Sequence, residues 1–205
     1  MPSFHTSHRL LAIVPVGIFF GLTVLIAIGP AIPLRPGEAR TLTPDVARGR
    51  EIYNLEGCPT CHSQQVRMDT RLPLGRDGRP QVLGQDARYG EASVPDDYAY
   101  DEPPFLGSER TGPDLANIGD RMPSFSWHLA HLYDPRMVVP SSVMPSYKWY
   151  FKEVGDPAAG ERKVQLTEAM RRRLGSNAEV WASRDAVALV EYLLSLRPVG
   201  RAKRP

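Results

Sequence analysis

Cysteine is scarce in this chain: of 205 residues only Cys58 and Cys61 carry a thiol, and they share one CxxC step. A structural zinc site usually needs two such pairs, or one pair with a histidine pair close by. The other closely spaced histidines, His128 and His131, lie far along the chain, which argues against zinc. A thioredoxin-like dithiol would want an alternating strand and helix context, and no strand signal is visible. Excess charge is also missing. The 25 basic and 23 acidic residues leave +2, so nothing in the total calls for nucleic acid. The basic runs at Arg171, Arg172 and Arg173 and in the tail GRAKRP read as solvated surface. No internal repeat is present.

What the chain does contain begins with LLAIVPVGIFFGLTVLIAIGPAIPL, Leu10 to Leu34, a run without a single charge. Its helical portion, to about Ile28, rises roughly 30 Å, the thickness of a bilayer's hydrocarbon core. A cleaved leader has a shorter apolar stretch, about 7 to 15 residues, so an uncleaved anchor is expected in residues 1–34, spanning about 10–29. Pro15 is tolerable in a lipid-embedded helix. Arg9 precedes the span while Arg35 and Arg40 follow it, so charge leaves the orientation open.

A polar linker over 35–43 leads to a helix opening at Pro44, with Thr43 as cap and Asp45 in the first turn. Val46, Gly49, Ile52 and Tyr53 fall on one side of it. Glycine inside a helix costs about 1 kcal/mol relative to alanine, which suggests that another helix crosses closely at Gly49. Residues 63–110 are rich in Gly, Pro and Asp and keep no period. Long irregular chain in a domain is usually functional or disordered, and Tyr89, Tyr98, Tyr100 and Phe105 favour an ordered surface that wraps something. Further helices are expected around SWHLAHL (126–132), QLTEAMRRRL, and RDAVALVEYLLSLR, the last capped by Ser183 and stopped by Pro198. Ala186, Leu189, Val190 and Leu193 form its core-facing stripe, and it is too short to be a second span.

The chemistry left for the cysteines is covalent haem. In GCPTCHSQQ, two thioethers from Cys58 and Cys61 hold the porphyrin and the adjacent His62 turns onto the iron. Haem of this type is attached outside the cytoplasmic membrane, so the domain, residues 44–198 before a basic tail at 199–205, is expected on the periplasmic side of an inner membrane. For the sixth ligand, Met68 is too near His62 and Met170 sits in a charged helix. Met137 has nothing to single it out, since most methionines simply fill cores. Met122 and Met144 each precede a proline, which keeps the backbone extended. Met144, flanked by Pro140 and Pro145 late in the chain, is the first choice; Met122, His128 and His131 remain alternatives. Methionine ligation raises the potential relative to two histidines, and a coordinatively full iron moves electrons instead of binding substrate.

The order of helix, CxxCH, TGPDL, distal methionine and terminal helix resembles class I cytochrome c. With GREIYNLEGCPTCHSQ, RYGEASVPDDYAYDEPPF, GSERTGPDLANIGDR and WHLAHLYDPRMVVPSSVMPSY behind one anchor, the chain resembles the mono-haem subunit II of cbb3-type cytochrome c oxidase. The resemblance implies a mainly α fold: one transmembrane helix plus a class I cytochrome c-like haem domain with long irregular insertions. It implies haem c on Cys58, Cys61 and His62, with Met144 distal, and a Pro113 carbonyl accepting from the other nitrogen of His62. Arg136 would meet a haem propionate, and 88–105 would lie against the catalytic subunit. Partners implied are that haem b-containing subunit, a di-haem or soluble cytochrome c donor, and the lipid bilayer. The segment 66–87 and residues 151–180 fit the pattern loosely. The alternatives are the mono-haem subunit of a nitric oxide reductase, against which TGPDL and WHLAHLYDPR argue, and a free-standing anchored carrier.

Overall fold

The apolar run folds as helix α1, His8–Ile28. Its stretch Arg9–Ile28 is long and apolar enough to cross a membrane, and none of it is buried. Ile13, Phe19, Phe20 and Ile26 all face outward, as a helix solvated by lipid requires. The computed structural model describes residues 8–28, 41–69, 73–75, 81–82, 84–98, 101–153 and 162–197. The expected linker over 35–40, Tyr100, the stop at Pro198 and the tail at 199–205 lie outside the described residues, as does part of the segment 66–87. The chain divides into two units, Met1–Ala39 and Arg40–Pro205.

The second unit is mainly helical. Its longer helices are α2 (Pro44–Leu55), α4 (Phe125–Tyr133), α5 (Glu168–Leu174) and α6 (Arg184–Ser195), with a single turn, α3 (Ile118–Arg121), between the first two. The hydroxyls of Thr43, Ser124, Thr167 and Ser183 accept from the backbone N–H groups of Val46, Trp127, Met170 and Ala186. Each thereby satisfies one of the donors that a helix start leaves open. The framework is the crossing of α2 and α6. A Cβ on Gly49 would stand 1.9 Å from the Ala188 carbonyl oxygen, so glycine is what lets the two backbones touch. Arg48 grips Asp185 with two bonds of 3.0 and 2.9 Å, and Arg184 reaches Asp45 at 3.2 Å, both across this crossing. Beneath it the Tyr53 ring meets Phe105 and Tyr192 at 5.4 and 5.3 Å between centroids.

Three features depart from the sequence reading. A small antiparallel sheet is present, in the order β1 (Phe151–Glu153), β3 (Val180–Ala182), β2 (Arg162–Lys163), with Ala182 paired to Phe151 on one side and Arg162 on the other. These strands are two or three residues long, too short to display an alternation. Second, among the described residues the aromatics of the irregular segment do not form an outward surface. Tyr89 and Phe105 are buried, and the half-buried Tyr98 donates its hydroxyl to the Gln64 carbonyl at 2.9 Å. Third, Met170, placed by its charged neighbours on a polar helix, is fully buried on the inner side of α5.

Candidate functional site

Helix α2 ends at Leu55, and two residues on Gly57, with a φ of +70°, turns the chain sharply. A 3₁₀ turn over Cys58–Thr60 follows, and the amides of Cys61 and His62 both close onto the Cys58 carbonyl, at 3.2 and 2.9 Å. This one turn presents two free thiols, Cys58 half-buried and Cys61 exposed, immediately before the imidazole. Burial pushes the Cys58 thiol up to about 12, while a hydrogen bond with Tyr147 works the other way. A dithiol built for redox exchange needs a low thiol pKa, so Cys58 is unlike one.

Residues 61–63 are laced to 112–115. The Gly112 amide donates to the Cys61 carbonyl at 3.0 Å, and the Leu115 amide to the Ser63 carbonyl at 2.8 Å. Nδ1 of His62 lies 2.8 Å from the Pro113 carbonyl oxygen. A carbonyl can only accept, so Nδ1 carries the hydrogen and Nε2 keeps a free lone pair. Burial lowers the His62 pKa, against the opposing pull of Pro113 and of the Asp114 charge, which favours the neutral ring that ligates metals. Gly112 lies so close that a Cβ would stand 2.3 Å from Cε1 of the ring.

The other expected residues are placed as follows. Arg136 donates to the Met144 carbonyl at 3.2 Å and to Ser146 Oγ at 3.1 Å, so it is tied to the loop carrying the distal candidate. Met144 is half-buried and packs against the core. His128 is buried, and its Nε2 is 2.8 Å from the Met122 carbonyl. His131 stacks on Trp127 at 4.7 Å, its Nδ1 is buried with no hydrogen-bond partner among the described residues, and burial lowers its pKa to about 4.

The residues fit a haem. Two unpaired thiols on one turn match two vinyl attachment points, and a neutral, oriented imidazole with Nε2 available matches a proximal ligand. Among the described residues no cluster of three or more His, Cys, Asp or Glu could hold a metal ion instead. Residues 8–192 match the family described as cytochrome c oxidase, mono-heme subunit/FixO. The chain belongs to the FixO family. That membership bears out the resemblance to the cbb3-type mono-haem subunit and makes the chain a haem-bearing electron-transfer subunit of an oxidase complex, with a catalytic subunit as partner. No match to the chain is found among curated proteins.

Sequence reading passed over several residues around this FixO site. Asp114 and Ser63 are buried and bonded to one another, and Arg110 bonds to both. Gly112 and Asp114 lie inside the TGPDL motif and were legible as part of it, but nothing in the one-dimensional sequence joins Arg110 to Ser63.

Proposed function

We propose that this FixO subunit takes single electrons from a c-type cytochrome, a di-haem partner subunit or a small soluble protein, and passes them to the haem b-containing catalytic subunit that reduces oxygen. The observation that supports this best is the pairing of the free thiols of Cys58 and Cys61 with a His62 ring whose Nδ1 is held by Pro113 at 2.8 Å. Haem c, when bound, supplies a one-electron iron couple. In this reading Cys58 and Cys61 give the two thioethers and His62 gives Nε2 to the iron. The Pro113 carbonyl fixes the ring and makes it more electron-rich. Met144 would supply the distal ligand, and Arg136 holds its loop in place through the Met144 carbonyl and Ser146; contact with a propionate would add to those bonds. The helix α1 anchors the subunit in the inner membrane, with the haem domain on the periplasmic side, where covalent haem attachment takes place. The exposed residues within 88–105, Arg88 and Glu91 among them, are the docking surface for the catalytic subunit.

The test is the reduced-minus-oxidised spectrum of a tagged chain gently extracted from its native membrane, recorded with and without carbon monoxide. Haem c eluting with haem b and a carbon monoxide-binding high-spin haem is the expected result, and oxygen against nitric oxide turnover then names the reaction. Low-spin haem c alone, under conditions that keep such complexes intact, overturns the oxidase reading.

A further inference from the structure

Asp114 has no exposed surface. Its Oδ2 accepts from the Ser63 hydroxyl at 2.5 Å, the Gln65 amide at 3.0 Å and the Arg110 guanidinium at 3.0 Å; its Oδ1 accepts from the Ala116 amide at 2.7 Å. A carboxylate offers about four acceptor positions, and here four donors converge on it, three on Oδ2 and one on Oδ1. The placement along the chain matters as much as the number. Ser63 follows His62 directly, and Pro113, whose carbonyl takes the imidazole hydrogen, directly precedes Asp114. One buried side chain therefore clasps both segments that meet at the ring.

We propose that Asp114 is a positioning residue that sets the reduction potential of the iron carried by His62, with Arg110 as its counterweight. The proposal rests on the haem reading above. Two effects of Asp114 act in the same direction. By fixing Pro113 against Nδ1 it keeps the imidazole electron-rich, which favours the ferric state. Its own negative charge, shielded from water, favours the more positive oxidation state through space. Arg110 opposes the second effect. Its guanidinium is largely buried and bonds Asp114, Asp86, the Ser63 hydroxyl and the Gln65 carbonyl. A cluster that only shapes the fold, with its charges too screened to reach the iron, would leave both potentials unmoved.

The experiment is a redox titration of haem c in the membrane-extracted complex for wild type, Asp114→Asn and Arg110→Gln, with haem c content measured first by the pyridine haemochrome spectrum. Asp114→Asn, nearly the same shape without the charge, is expected to shift the potential upward. Arg110→Gln is expected to shift it downward, because Asp114 is left less balanced. Potentials unmoved in both variants, or moved in the same direction, overturn the proposal even where thermal stability falls. If Asp114→Asn yields no haem-loaded protein, Arg110→Gln decides alone: a fall supports the proposal, and a rise or no change sinks it. Wild type without haem c overturns the underlying haem reading, which is distinct from unmoved potentials in a haem-loaded protein.

Discussion

Gly112 is the tightest single position at the site. The atoms that a Cβ there would strike belong to the His62 ring, at 2.3 Å from Cε1, and that ring is tethered through Nδ1 to the next residue's carbonyl. It cannot swing aside without losing the tether. Overpacking of this kind costs about 1–3 kcal/mol, and here the strain falls on the imidazole. Gly112→Ala is expected to lower covalent haem content per mole of chain, or to alter the axial-ligand bands of what is incorporated; an unchanged pyridine haemochrome yield with unchanged bands would count against a ring held this closely. His131 makes a pH prediction. Its folded-state pKa is lowered to about 4 by burial, with His128 and His62 adding to the effect. Above the unfolded value, about 6.5, both states are neutral and the contribution is constant. As pH falls below that, only the unfolded chain takes the proton, so stability declines until about pH 4. From pH 7 to pH 5 this one group accounts for about 2 kcal/mol. His131→Phe keeps a ring on Trp127 and removes the proton site, so the thermal midpoint of the haem-loaded protein should fall less steeply over that range than in wild type. Equal slopes would show that His131 does not titrate in this way.

The crossing of α2 and α6 is where the elements depend most on one residue. Replacing glycine inside a helix ordinarily gains up to about 1 kcal/mol from propensity. At Gly49 the added carbon meets backbone, Ala188 oxygen at 1.9 Å and carbon at 2.5 Å, and backbone cannot rotate away as a side-chain tip can. The helices must separate, opening the packing of Tyr53 against Tyr192 and disturbing the end of α2 that leads into Cys58. Gly49→Val is expected to cost about 3 kcal/mol or more, while Arg171→Ala, exposed on α5, should stay within about 0.5 kcal/mol. Denaturation midpoints of the two variants side by side test this contrast. This crossing was legible in the sequence, because a glycine amid helix formers is a local anomaly and the Ser and Thr caps are local signals. So was the turn that brings two thiols and an imidazole together within five consecutive residues. The sheet was not legible, since strands of two or three residues carry no period and owe their existence to partners far along the chain. The cluster of Asp114, Ser63 and Arg110 escaped for the same reason: Asp114 stands in a legible motif, but its bonds to Ser63 and Arg110 exist only once the fold brings the three together.

At the scale of the whole molecule, the two units draw on different solvents. Every residue of the described hydrophobic core lies between Ile52 and Leu196, whereas the large apolar side chains of α1, Leu25 and Ile26 among them, are exposed. An apolar helix of this length is stable where lipid replaces water, and a unit with a hydrophobic core of its own is expected to fold on that core. Residues 40–205, exported behind a cleavable leader in place of the anchor, are therefore expected to yield a water-soluble red protein. Its reduced haem c bands and thermal midpoint should match those of the full chain in detergent. Membership in the oxidase complex is a separate matter, because the truncated form gives up whatever α1 contributes to assembly. Adding this soluble form to membranes whose own subunit carries no haem should restore oxygen uptake only weakly, and less so as salt screens the encounter. If the truncated form aggregates or arrives without haem, the anchor is part of the haem domain's folding unit. If it restores full uptake at low concentration, docking lies wholly in the haem domain and the anchor only concentrates it at the membrane.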